Sequence, residues 1–111
     1  MTDLADQSMS VLAADANGLD TAEIKKLQAD LVDWDVVNEN GMDILEKMFK
    51  FDTYLACLDF ARSVGRMAEE FDHHPRLVVE WGRVSVAWWT HAVSGLHTND
   101  FIMAARTDRL G

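Results

Sequence analysis

Glu69-Glu70-Phe71-Asp72-His73-His74-Pro75 closes a long amphipathic pattern and stands directly before a run of strand-forming residues. A helix has to stop here, because proline pushes the residue before it into extended geometry. Upstream, Tyr54, Cys57, Leu58, Ala61, Val64, Gly65 and Ala68 recur at helical spacing, while Asp59, Arg62, Arg66 and Glu69 form a polar stripe. The helix is expected from a cap at Asp52 or Thr53 to about Phe71, with small Ala61, Gly65 and Ala68 allowing close approach to a sheet. Downstream, Arg76 to Trp81 and Arg83 to Thr90 read as two strands joined at Trp81-Gly82. In the second, Val84, Val86, Trp88 and Thr90 share one face and Ser85, Ala87, Trp89 and His91 the other. Both faces are largely apolar, which suggests a central strand, or one face under helices and the other under a partner subunit. Such a hairpin can bring His91 back towards His73 and His74.

Working further upstream, Asn40-Gly41 is a two-residue hairpin signal, because both residues tolerate positive φ. It joins a short strand, Trp34 to Val37, to a returning strand, Met42 to Phe51, with Leu45, Phe49 and Phe51 on one face and Glu46 and Lys50 on the other. Lys47 falls on the apolar face by strict alternation, so a twist or an interface has to accommodate it. Asp20-Thr21-Ala22-Glu23 resembles a capping box and opens a helix over about 21–31, with Ile24, Leu27 and Leu31 at helical spacing. Residues 1–19 are expected to be a flexible tail, since they carry little apolar surface to offset the entropy of ordering. Past the hairpin, Ser94-Gly95-Leu96-His97 reads as a loop, and Thr98 can cap a last helix bearing Phe101, Ile102, Ala105 and Leu110. The expected fold class is α+β, in the order α-β-β-α-β-β-α: a four-stranded, mainly antiparallel sheet with helices packed on one face, one domain over 20–111.

Composition narrows the function. Nineteen acids against ten bases give a net charge of −9 and a pI near 4.6, the wrong sign for direct binding to nucleic-acid phosphates. No apolar run reaches the roughly 20 residues that cross a bilayer, and the N-terminus is acidic where a secretory signal is basic. The lone Cys57 fits a reducing compartment and a core position. A cytoplasmic location is therefore expected. With 111 residues the core is modest, so association into oligomers is a natural source of further burial.

The histidines admit three explanations: a hydrogen-bonded turn, metal ligation, or general acid–base catalysis. Adjacent histidines in an extended segment point apart, and there is neither a cysteine pair nor a His-x-x-x-His spacing, which weakens the metal option. Imidazole, with an ordinary pKa near 6.5, both accepts and donates protons near neutrality. Divergent imidazoles plus a third from a strand end could contact different atoms of one flat substrate.

Ala68 to Pro75, Trp81, Thr90-His91, Gly95-Leu96 and Asn99-Asp100 together resemble the signature of the pterin-4a-carbinolamine dehydratases. Leu45-Glu46-Lys47 with Phe49-Lys50-Phe51 is similar to that family's second strand, and Trp34 to its early tryptophan. The resemblance spans roughly 22–110, and Glu80 to His91 looks most like bacterial members associated with phenylalanine hydroxylase. It implies removal of water from a 4a-hydroxytetrahydropterin without metal or redox cofactor, in a homo-oligomer (dimer or tetramer) coupled to phenylalanine hydroxylase. It further implies acid–base roles for His73 and His91, with His74 binding and orienting the pterin. Glu69, Pro75, Thr90 and Asp100 would complete the substrate site. Glu69 has a rival reading as an exposed i,i+3 partner of Arg66, and Asp100 could steady a histidine or complement the start of the last helix. Trp88 and Trp89 are bulkier than the residues of the animal members. For those members the resemblance also implies a second role as dimerisation partner of a transcription factor, so a non-catalytic binding, assembly or coactivator module on the same fold is the alternative.

Overall fold

The computed structural model describes residues 3–10 and 17–111. Its regular elements are α1 (Thr21–Gln28), β1 (Asp35–Glu39), β2 (Met42–Lys50), α2 (Tyr54–Phe71), β3 (Arg76–Glu80), β4 (Arg83–Trp88) and α3 (Thr98–Leu110). The α+β class and the expected element order hold. The four strands form one sheet in the order β1-β2-β4-β3, every neighbouring pair antiparallel. β4 is thus an interior strand, which is why both its faces carry apolar residues.

Turn chemistry sets the two hairpins. Asn40 (φ 54) and Gly41 (φ 82) both take the left-handed conformation that a tight β1–β2 turn needs. In the β3–β4 turn only Gly82 (φ 81) does, while Glu80 pairs with Arg83.

Helices cover the face carrying Leu45, Val84, Val86 and Trp88, all fully buried with Val64, Phe101, Ile102 and Met103. On α2 the buried positions are Cys57, Phe60, Val64 and Ala68. The expected apolar face was therefore rotated slightly: Phe60 belongs to the core, and Leu58 and Tyr54 are exposed. Phe60 seats between Phe49 and Phe51, with ring centroids 4.7 and 5.0 Å away. A Cβ on Gly65 would meet nothing within 4 Å, so close packing of that helix against the sheet does not depend on it.

Other boundaries shift for local reasons. α1 stops at Gln28 rather than 31, because the amides of Asp30 and Leu31 turn back onto the carbonyls of Leu27 and Gln28, three residues behind each. β1 covers Asp35–Glu39 in place of 34–37, as Trp34 leaves the strand to bury its ring and donate its indole N–H to Asp108 at 3.0 Å. Lys47 does lie on the helix-facing side, and Asp108 of α3 resolves the conflict: Lys47 Nζ sits 2.8 Å from Asp108 and 4.9 Å from the centre of Phe49's ring. β4 ends at Trp88, short of Thr90, and His91–Val93 form a 3-10 turn. The last helix is capped by His97 rather than Thr98.

Within the stretch 1–19, Leu4–Asp6 make a 3-10 turn whose Leu4 and Ala5 are buried against α3. Arg106 donates to the carbonyls of Ala5 (3.0 Å) and Gln7 (2.7 Å), and the Asn99 amide exchanges two hydrogen bonds with the backbone of Ser10. Residues 1–2 and 11–16 of that stretch lie outside the described residues.

Candidate active site

α2 terminates on Asp72 in the left-handed conformation (φ 50), and the next amide, that of His73, closes onto the carbonyl of Ala68 at 3.1 Å. Aspartate tolerates this geometry better than most side chains. The swing, followed by the extended segment before Pro75, sends the two histidines in different directions, as their sequence context predicts. His73 turns inward and its side chain is 14% exposed, whereas that of His74 is 53% exposed.

Inside, the His73 ring lies nearly parallel to that of Trp88, 5.6 Å between centroids and 6° between planes, an offset stack. Its Nε2 is 2.6 Å from Oδ1 of Asp100. Asp100 is completely buried at the start of α3. A buried carboxylate needs partners, and Asp100 has three: His73, the Thr90 hydroxyl (2.7 Å) and the His97 amide (2.9 Å). Both readings of Asp100 are therefore combined, since the same side chain steadies a histidine and completes the helix start. Because a carboxylate only accepts, Nε2 of His73 carries the proton, and in the neutral ring the free lone pair is on Nδ1.

Thr90 enters by its side chain as well as its backbone. Its N–H and C=O both pair with Gly95 (2.8 and 3.4 Å), closing the loop that bears His91. His91 itself is exposed, and its Nε2 accepts the indole N–H of Trp89 at 3.2 Å. The three histidines are consequently not one hydrogen-bonded cluster. His73, Thr90 and Asp100 are joined directly, and His91 reaches them through its peptide link to Thr90. Glu69 approaches His74 at 3.4 Å rather than pairing with Arg66, and at 80% side-chain exposure this contact contributes little to stability. Pro75 stands between this pair and β3, fixing the entry into the strand.

On the opposite sheet face Arg76, the first residue of β3, forks onto the Glu39 carboxylate at 2.7 and 3.0 Å, comes within 3.5 Å of Glu46, and places its guanidinium 5.5 Å from the centre of the Trp89 ring. Hydrogen bonding by Arg76 holds the Glu39 carboxyl below the usual carboxylate range. Trp88, Trp89 and His97 are the members of the site that sequence reasoning left without a role. Their signal was alternation in β4, which puts two consecutive rings on opposite faces, and a histidine three residues before Asp100.

A cleft of about 590 Å³ opens between α2, α3 and the N-terminal turn, but it contains no histidine, and its Arg106 and Arg109 are already bonded to the Ala5 and Gln7 carbonyls and to Asp6. Among the described residues no group of three or more His, Cys, Asp or Glu is placed to hold a metal ion, and no helix is long and apolar enough to cross a membrane.

Comparison with known proteins places the chain among relatives. The family described as Pterin 4 alpha carbinolamine dehydratase matches residues 17–110. A protein of Chlorobium limicola named as a candidate pterin-4-alpha-carbinolamine dehydratase is 54% identical over 101 residues, 91% of this chain and 83% of the relative. One of the same name from Microcystis aeruginosa is 45% identical over 108 residues, 97% and 93% of the two chains. A solved structure of a transcriptional coactivator/pterin dehydratase from Brucella melitensis superposes with a TM-score of 0.77 at 28% identity, covering 85% of this chain and 98% of that one. A pterin dehydratase-like protein identified as a RuBisCO assembly factor of the alpha-carboxysome shares the fold, with a TM-score of 0.60 at 21% identity over 71% of this chain and 89% of its own.

Proposed function

The chain belongs to the pterin 4 alpha carbinolamine dehydratase family, and on that premise we propose that it removes water from a 4a-hydroxytetrahydropterin by histidine acid–base catalysis. The observation that carries this reading is the buried Asp100 carboxylate aimed at His73 and braced by Thr90 and the His97 amide. In the reaction the C4a–oxygen bond breaks, N5 gives up its proton, and the nitrogen electron pair forms the C4a=N5 double bond of the quinonoid dihydropterin. One group has to protonate the departing hydroxyl and another has to take the N5 proton.

His73 and His91 fill these roles. His73 offers Nδ1 while Asp100 holds its other nitrogen, and His91 works from the far side of Thr90. His74, outward and partly exposed, binds and orients the pterin together with Glu69, and Pro75, Thr90 and Asp100 shape the site. No metal or redox cofactor takes part. The catalytic domain spans 20–111, acts in the cytoplasm as a homo-oligomer (dimer or tetramer), and takes its substrate from phenylalanine hydroxylase.

The rival reading, a non-catalytic binding or assembly module, has partial support in the coactivator and assembly-factor roles of the two solved relatives. The full set of His73, His74 and His91 favours the enzyme, because a scaffold has no chemical use for it. The deciding assay generates the carbinolamine with phenylalanine hydroxylase and follows appearance of the quinonoid product with and without this protein. Acceleration over the spontaneous rate is expected, and its absence would sink the enzymatic reading.

A further inference from the structure

We propose that Trp89 is a positioning residue for His91: its indole N–H selects the ring tautomer of that histidine and leaves Nδ1 as the protonated nitrogen. Indole nitrogen donates a hydrogen bond and cannot accept one. The contact of 3.2 Å between Trp89 Nε1 and His91 Nε2 therefore requires a lone pair on Nε2, and a neutral His91 carries its proton on Nδ1. The rings meet edge to face, 5.5 Å between centroids at 71°, so the indole edge meets the imidazole without stacking over it.

The indole is itself held. Arg76 presents its guanidinium to the ring at 5.5 Å, and Arg76 is anchored by a two-pronged bond to Glu39 and a longer contact to Glu46. Trp89 also lines a recess of about 320 Å³ with Ile44, Met42 and Ser94. Glu39 on β1, Arg76 on β3 and Trp89 after β4 thus form a chain across the sheet that ends on His91. Trp88, one residue earlier, stacks on His73. The two tryptophans of the Trp88-Trp89 pair each seat one of the two histidines, with opposite outcomes: Asp100 makes His73 protonated on Nε2, and Trp89 makes His91 protonated on Nδ1. Two neutral imidazoles in opposite tautomers offer one free lone pair and one free N–H, an acceptor and a donor.

The inference uses the dehydratase reading only for its kinetic arm. The structural arm is the ring ¹⁵N spectrum of His91 in the labelled full chain at a pH where the ring is neutral. Nδ1 is expected to show the protonated, pyrrole-like signal and Nε2 the pyridine-like one, and in Trp89→Phe the Nε2-protonated form should gain population. A wild-type His91 protonated on Nε2, or a Trp89→Phe spectrum unchanged from wild type, overturns the proposal. Should Trp89→Phe fail to fold, the wild-type spectrum decides alone. In the kinetic arm Trp89→Phe should lower kcat about three- to tenfold with KM held within about twofold, the size expected for one neutral hydrogen bond. Added to His91→Ala it should lower kcat no further. An undiminished kcat, or an equal loss in the His91→Ala background, overturns the positioning role. A wild-type protein with no dehydratase activity would defeat the proposed function instead, and the spectrum would still decide the tautomer.

Discussion

Replacing Asp100 by asparagine changes one atom's hydrogen-bonding character without changing the volume of a fully buried side chain. Three donors converge on this carboxylate, from His73 (2.6 Å), Thr90 (2.7 Å) and the His97 backbone (2.9 Å). Asparagine offers one oxygen and one NH₂ group in its place. The His97 amide cannot turn away, because it belongs to the start of α3, so the oxygen has to stay on the side of Thr90 and His97. The NH₂ then faces Nε2 of His73. Two donors cannot share that contact, and His73 has to surrender its Nε2 proton and become protonated on Nδ1, the nitrogen assigned to the substrate.

Two separable losses follow. The charge-assisted bond to His73 becomes a neutral one, a cost of about 1 kcal/mol, which in a domain of this length lowers Tm by roughly 4–8 °C. Catalysis should fall much further, about 10²–10⁴-fold in kcat, because the lone pair has moved to the wrong nitrogen. The variant can be checked by thermal unfolding and by the hydroxylase-coupled assay, in parallel with His73→Ala. An Asp100→Asn protein that loses stability as expected but keeps wild-type kcat would refute control of the His73 tautomer. One that keeps wild-type Tm would refute the buried network itself.

His91→Ala should abolish most turnover while leaving Tm within about 1–2 °C of wild type, as expected for an exposed side chain away from the core; a large fall in Tm would mark His91 as structural. Deleting residues 1–10 removes buried Leu4 and both carbonyls that Arg106 uses, and should cost about 2–4 kcal/mol in denaturant unfolding, against no cost if the segment behaves wholly as a tail. Glu39, whose folded-state pKa is lowered by Arg76, binds protons less readily when folded than when unfolded, so its contribution is complete above the unfolded value and disappears as pH falls through the folded one. The Tm gap between wild type and Glu39→Gln should accordingly close on acidification, and a gap constant with pH would contradict the ion pair. Exhaustive chelation should leave turnover unchanged, and activity lost to a chelator and restored by zinc would disprove the metal-free reaction.

Much of this architecture was legible because local rules and global packing agree in it. Asn40-Gly41 and Gly82 fixed both hairpins through positive φ, Pro75 marked the change from helix to strand, and the alternation of β4 marked an interior strand. The departures come from contacts between segments distant in sequence. Lys47 was puzzling by periodicity alone because its partner, Asp108, lies 61 residues away. The early N-terminal turn looked too polar to pack, yet its backbone carbonyls, invisible to any hydropathy pattern, are what Arg106 binds. For the site, spacing and resemblance supplied a candidate residue set, but not which of its members meet in the fold. Nothing in His-His-Pro says that one ring meets Asp100 and the other Glu69. That follows from the left-handed Asp72 at the end of α2.

The register of β4 ties the chemistry to the fold more tightly than the histidines alone do. Leu45 of β2 stands opposite Trp88, and Ala87 stands opposite both Glu46 and Arg76. Small Ala87 leaves the outer face open for Arg76 to reach Glu39, while Trp88 fills the helix side beneath His73. Because side chains alternate with a period of two, a slip of β4 by a single residue would drive Trp89 into the core and turn Trp88 out to solvent. It would also take the Thr90 hydroxyl away from Asp100. Hydrophobic burial of Trp88, Val86 and Val84 thus enforces the same register that the contacts of Thr90 with Asp100 and of Trp88 with His73 require.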